Sequence, residues 1–219
     1  MAVSSSRNFE LDVAEIIEEA YERCGKTMKT GYDAQTARRS LNLMFADWAN
    51  RGINLWTVNL DTSTTLVADQ TQVTLAADVV DLLEVVVRRS STDYPVQRIS
   101  RGEYQGIANK ASTGRPTVFW LDRQILPVIN LWPASENATD VLRYYYVRRI
   151  QDADTMVNTN DMPFRFYPAM VSGLAYMLAL KKAPDRLQLL KPIYEEEFQR
   201  AADEDRERVP LRLVPGRRR

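Results

Sequence analysis

Near the amino terminus, apolar residues recur at helical spacing. Val13, Ile16, Ile17, Ala20 and Cys24 fall on one face of a helix spanning Asn8 to Cys24, with Glu15, Glu18, Glu19 and Glu22 turned toward the other side. Asn8 reads as its N-cap and Gly25 as the residue that stops it. A second stripe, Ala34, Ala37, Leu41, Met44, Phe45 and Trp48, predicts a helix over about residues 33–50. Thr30-Gly-Tyr-Asp33 has the form of a capping box before it, and Arg51-Gly52 closes it. Two such helices joined by a short turn are expected to pack as an antiparallel pair.

From Trp56 to about Ile150 the period changes from helical to strand-like. Thr71–Leu75 alternates, Val85–Val87 is β-branched, and Thr117–Leu121, Ile125–Leu131 and Val141–Val147 are further strands. Turn material separates them at Ser90–Asp93, Ser112–Pro116 and Trp132–Asn137, and one short helix is expected within Ser100–Asn109. This predicts a β-rich module of about six strands, a small sandwich or barrel.

Helical spacing returns after Asn160. Pro163 suits a first turn, and Phe164, Phe166, Tyr167, Met170, Val171, Leu174, Ala175, Met177 and Leu178 cover nearly the whole circumference of the helix it opens. A helix apolar all round is a buried one. Lys181-Lys182 complements the dipole at its end. Pro184-Asp185 opens a last helix carrying Leu187, Leu190, Tyr194, Phe198 and Ala201, with Pro192 inside it expected to kink or break it. After Val209, Pro210, Pro215 and Gly216 argue for an extended tail. The expected fold is α+β: residues 1–55 and 153–208 supply two helix pairs of one four-helix bundle, residues 56–152 an inserted β-rich domain, and residues 209–219 the tail.

Composition narrows the chemistry. The 219 residues are 45% hydrophobic with zero formal net charge, 29 basic residues balancing 29 acidic ones, which does not single out nucleic acid as the main ligand. There is no histidine, so the commonest general base and metal ligand is missing. The single cysteine, Cys24, lies on the apolar stripe of the first helix and reads as a buried structural thiol. No apolar run reaches the ~20 residues of a membrane helix, and the first residues lack a signal-peptide core; a cytosolic product without membrane contact is expected. Phosphate-loop and dinucleotide patterns are absent. Glu195-Glu-Glu197 and Asp203-Glu-Asp205 diverge around a helix axis and read as a solvated face or a subunit contact rather than a metal site. No catalytic residue, metal or cofactor is expected. Arg143, Arg148 and Arg149 flank Tyr144-Tyr-Tyr146. That pattern fits a strand whose tyrosines alternate between core and surface better than a base-stacking platform.

Several runs look like one known family. Leu43-Met-Phe-Ala-Asp-Trp-Ala-Asn-Arg-Gly-Ile-Asn-Leu-Trp-Thr57 resembles the end of the second helix in the head-to-tail adaptors of short-tailed bacteriophages (podoviruses). Lys110-Ala-Ser-Thr-Gly-Arg-Pro116, Ile129-Asn-Leu-Trp-Pro133, Met162-Pro-Phe-Arg-Phe166 and Leu174-Ala-Tyr-Met-Leu-Ala-Leu-Lys181 are similar to further stretches, as is Ala202-Asp-Glu-Asp-Arg-Glu-Arg208 before the Leu-Arg-Leu tail. No single motif is diagnostic; their order from about Phe9 to Val214 carries the likeness, which extends less specifically to tubular-tail A-type adaptors. The resemblance implies a dodecameric ring under the portal protein at the head-tail junction of the virion. It also implies a tail nozzle or tubular tail component on the other side, a channel for double-stranded DNA, and assembly in the host cytoplasm. On that basis Leu211, Arg212, Leu213, Val214, Arg217, Arg218 and Arg219 are candidates for docking on the portal. Trp56, Glu195, Glu196, Asp203, Asp205 and Arg206 are candidates for a subunit or tail interface, and Arg143, Arg148 and Arg149 for the channel. From the residues alone the tail fits a solubilising end as well as a docking strip. The alternative function is a DNA-binding accessory protein acting through the basic tail and the 143–149 strand.

Overall fold

The computed structural model describes residues 5–6, 9–52 and 55–206. The fold is α+β, and the chain forms two compact units, one of residues 1–48 with 151–219 and one of residues 49–150.

In the helical unit, α1 (Val13–Arg23) begins several residues inside its predicted start. Asp12 is its N-cap: the Asp12 carboxylate accepts from the Glu15 N–H at 2.8 Å and the Glu15 carboxylate accepts from the Asp12 N–H at 3.1 Å. This reciprocal box outcompetes the start expected at Asn8, a residue outside those described. The first-turn N–H groups of Val13 and Ala14 donate to the carbonyls of Asn158 and Met156, so the returning 151–160 segment satisfies donors the helix leaves open. At the other end Gly25 adopts φ +68°. The Gly25 N–H donates to Glu22 O and the Lys26 N–H to Tyr21 O, a glycine stop as predicted.

Helix α2 (Gly31–Arg51) starts on the expected box, with Asp33 accepting from the Thr30 N–H and Thr30 Oγ1 from the Asp33 N–H. Helix α1 does not pair closely with α2. The close helix contacts run from α1 to α4 (Tyr167–Lys182) and from α4 to α5 (Leu187–Glu204). The all-round apolar α4 therefore takes the place that the expected hairpin partner would have filled. Its buried set includes Met170, Val171, Leu174, Ala175 and Leu178. Phe164, counted among the core residues by its spacing, is instead 76% exposed in the short 3-10 turn before α4. Helix α5 continues without a break through Pro192.

Trp48 is the centre of this unit. Its ring is fully buried, with the rings of Phe45, Phe166 and Phe198 at 6.2, 5.7 and 5.1 Å. Its indole N–H donates to Tyr194 Oη at 2.7 Å. A buried indole donor requires such a partner. Gly173 lets α4 come close: a Cβ there would lie 2.5 Å from Met44 Sδ and 2.7 Å from Tyr194 Cε2. Cys24 is buried, and burial raises its thiol pKa, as fits a structural cysteine.

The β-rich unit holds two four-stranded sheets. One has the order β1 (Val58–Thr65), β10 (Val141–Arg148), β3 (Val79–Arg89), β4 (Thr92–Pro95), all antiparallel. The other has the order β2 (Gln72–Thr74), β8 (Val128–Trp132), β7 (Val118–Asp122), β5 (Gln97–Arg98), with only β5 and β7 parallel. A two-residue parallel pair joins β6 (Thr113–Gly114) and β9 (Ala134–Ser135). One apolar cluster draws Val85, Val87, Leu142 and Tyr144 from the first sheet and Val73, Phe119, Leu121 and Ile129 from the second. The inner faces therefore share a core, as in a sandwich.

Segments expected as turns carry short strands. Strands β6 and β9 lie within two of them, and β4 begins inside the third. Ser90 and Ser91 both have positive φ and form a two-residue hairpin loop after which β4 begins at once. Conversely, Ile125 is 94% exposed and β8 starts only at Val128. The helix expected within Ser100–Asn109 is α3 (Arg101–Gly106), boxed by Ser100 and Glu103; its Tyr104 ring meets Trp120 of β7 at 5.7 Å.

The packing around Gly173 and the Asp33 cap can each be probed by substitution. Gly173→Ala gains helix propensity but must displace the hydrogen-bonded Tyr194 ring, so denaturant unfolding should show a net loss of about 1 kcal/mol. The Asp33 carboxyl is held at about 2, chiefly by its hydrogen bond from Lys182, with help from the Lys29 N–H. A lowered folded-state pKa stabilises above the unfolded value near 4 and is lost as pH falls toward about 2. The urea midpoint of Asp33→Asn should therefore decline less steeply than that of the natural chain between pH 4 and 2.

Candidate functional site

Among the described residues no three His, Cys, Asp or Glu are grouped to hold an ion. None of the described helices is long and apolar enough to cross a membrane. The site candidates are surfaces.

The end of α5 is the best-defined of them. Asp205 is buried at 6% exposure, and its carboxylate is ion-paired with the Arg165 guanidinium. The Asp205 N–H donates to Ala201 O, closing the helix. Arg206 is exposed and pairs with Asp203 at 2.6 Å. Glu195 and Glu196 are exposed on the same helix, Glu196 pairing with Arg200 one turn on. Of the residues expected at an interface, α5 and its end thus bring five onto one short stretch of chain, with Asp205 turned inward onto its own subunit. The sixth, Trp56, lies half-buried in a 3-10 turn (Leu55–Thr57) of the β-rich unit. Leu211, Arg212, Leu213, Val214 and Arg217 to Arg219 lie outside the described residues.

Arg143 and Arg148 are on β10, with Arg149 immediately after it. Arg143 is partly buried, 4.0 Å from the Asp93 carboxylate, which Arg88 grips with two bonds of 2.6 and 2.5 Å. Glu84 and Asp93 line the same hollow as Arg143, so the local field there is mixed rather than cationic. Tyr144 points into the core with Tyr146 beside it, and Tyr145 is exposed, the alternation expected of a half-buried strand.

A surface that sequence reasoning missed runs along α1. A groove of about 510 Å³ is floored by Phe9, Phe164, Tyr167 and Val171 and rimmed by Glu15, Glu18, Glu19 and Glu22, with Arg23 at one end. Phe9 and Phe164 are 72% and 76% exposed, and the Phe9 and Tyr167 rings meet edge-on at 6.5 Å. Exposed aromatic rings grouped in one hollow mark an interaction site. The available signal was the row of four glutamates on one helix face. Phe9 lay off the apolar stripe of the first helix, and the spacing of Phe164 pointed to the core instead.

The whole set of elements matches one protein family. The model of the SU10 adaptor protein family matches residues 11–219. The chain belongs to that family of phage adaptors. No curated protein matches it. The resemblance to adaptors thus holds at the level of a phage adaptor, and its assignment to short-tailed phages remains a reading of the sequence runs.

Loss of the Arg165 guanidinium would remove an ion pair from a buried carboxylate. The last turn of α5 then opens to hydrate it, since local opening is cheaper than global unfolding. Arg165→Met should raise amide exchange at residues 201–205 by about tenfold or more, with exchange in α4 unchanged; Arg165→Met with Asp205→Leu should restore protection.

Proposed function

We propose that the protein is the head-to-tail adaptor of a short-tailed phage. Copies assemble as a ring, twelve in number, beneath the portal protein. The ring joins the capsid vertex to a tail nozzle or tubular tail component and leaves a channel for DNA. Assembly takes place in the host cytoplasm, before the ring becomes part of the virion.

The observation that carries this reading is the family match through the tail, combined with the pinned end of α5. The helical unit acts as the bundle-like base. Its aromatic core and the Arg165–Asp205 pair fix the point where the chain leaves α5. Beyond it, Leu211, Leu213 and Val214 supply apolar side chains for a portal groove or sheet edge, and Arg212 with Arg217 to Arg219 pairs with acidic groups. Ordering each tail costs free energy, and repetition around the ring compensates by avidity. Exposed Glu195 and Glu196 on α5, with Arg206 just past its end and Trp56, form contacts with neighbouring subunits or the tail. Arg143, Arg148 and Arg149 meet passing DNA through non-specific phosphate contacts.

Deleting residues 209–219 should leave a folded chain with unchanged circular dichroism while abolishing capture by immobilised portal protein. Undiminished capture of the shortened chain would refute tail docking.

A further inference from the structure

The acidic aromatic groove on α1 has a natural occupant in the chain itself. We infer that, in the free subunit, residues 207–219 seat in the groove of their own chain and hold the tail there until a portal competes for it.

Chemical complementarity comes first. Four carboxylates face one guanidinium around the groove. Among the described residues Glu18 and Glu22 give no side-chain hydrogen bond or ion pair, whereas Glu19 is paired with Arg23 and Glu15 with the α1 start. Residues 207–219 carry five arginines, Arg208, Arg212 and Arg217 to Arg219, against one acidic side chain, Glu207. Between the arginines stand Val209, Leu211, Leu213 and Val214, matching a floor of exposed aromatic rings. Arginine also lies well on aromatic faces, so Phe9 and Phe164 suit both kinds of tail side chain.

Reach is sufficient as well. The described chain ends at Arg206, one residue past Asp205, which is held by Arg165; the neighbouring Phe164 lines the groove. Thirteen extended residues span about 43 Å at ~3.3 Å each, while the α1 part of the groove, Glu15 to Arg23, is about 12 Å long. Tethering through so short a connection gives an effective concentration in the millimolar range. A weak groove is therefore filled by its own tail before another copy's tail finds it.

The inference draws on the adaptor reading only for the tail's eventual release to a portal, and its test needs no portal. In the full chain, Leu213→Cys is combined with Pro168→Cys, an exposed groove residue, and compared with Leu213→Cys combined with Leu189→Cys on α5, outside the groove. The natural Cys24 is fully buried and stays out of the exchange. Under mild oxidation the 213–168 pair should form a within-chain bridge at least tenfold faster than the 213–189 pair. Adding Glu18→Lys with Glu22→Lys should abolish that advantage. Equal rates for the two pairs would overturn the inference. So would bridging between chains in a concentration-dependent manner, which would assign the groove to a second copy's tail. Portal capture of the natural chain tests the adaptor reading separately from the bridging rates.

Discussion

The hydrogen bond between the Trp48 indole and the Tyr194 hydroxyl, with its surrounding rings, is the contact on which the helical unit depends. It joins residues 146 apart in sequence. Closing so long a loop is entropically unfavourable, and only a large buried contact offsets it. Phe45, Trp48, Phe166 and Phe198 supply that contact, and Gly173 lets α4 come close enough to complete it. One consequence reaches beyond stability. Tyr194 and Phe198 lie on α5, so the cluster that closes the unit also fixes the helix from which the tail departs.

Helices with one apolar face were legible because burial on one side imposes a period. Val13, Ile16, Ile17 and Ala20 are all fully buried, as are Ala37, Leu41, Met44 and Trp48. Helix ends depended on local hydrogen-bond competition. Asp12 with Glu15 won over Asn8 because the box satisfies two donors at once. The strands were legible where they are central and apolar, as at Phe119 and Leu121. The edge strand β1, Val58-Asn-Leu-Asp-Thr-Ser-Thr-Thr65, was not, because its side chains have no core to report. Ser90-Ser91 hid a hairpin because positive φ at two serines is rare and leaves no Asn-Gly signature.

The site was less legible than the fold, for a different reason. A surface groove is assembled from segments with no common period. Phe9 precedes α1, Phe164 sits in a 3-10 turn before α4, and only the third dimension places them together. Counting Phe164 as core came from treating residues 164–178 as one continuous helix; the 3-10 turn rotates it out of the core phase. Asp205 shows the reverse failure. A residue in an acidic-basic run reads as solvent-facing, yet Arg165 draws it inside, because a buried carboxylate is tolerated where a guanidinium meets it.

The two proposals place two claims on the end of the chain. The proposed portal site and the α1 groove would both favour extended apolar-arginine sequence, so one occupies the tail at the expense of the other. A tail bound in its own groove lowers the apparent affinity for portal by the fraction left free. For one subunit that is a penalty, and it suppresses isolated, unproductive encounters. In the proposed ring, many tails would engage one portal surface together, each successive docking being intramolecular. The penalty falls on each subunit singly, while the avidity gain compounds around the ring. A groove of modest affinity therefore sharpens the distinction between a lone subunit and a complete collar, and four glutamates on one face of α1 are sufficient chemistry for it.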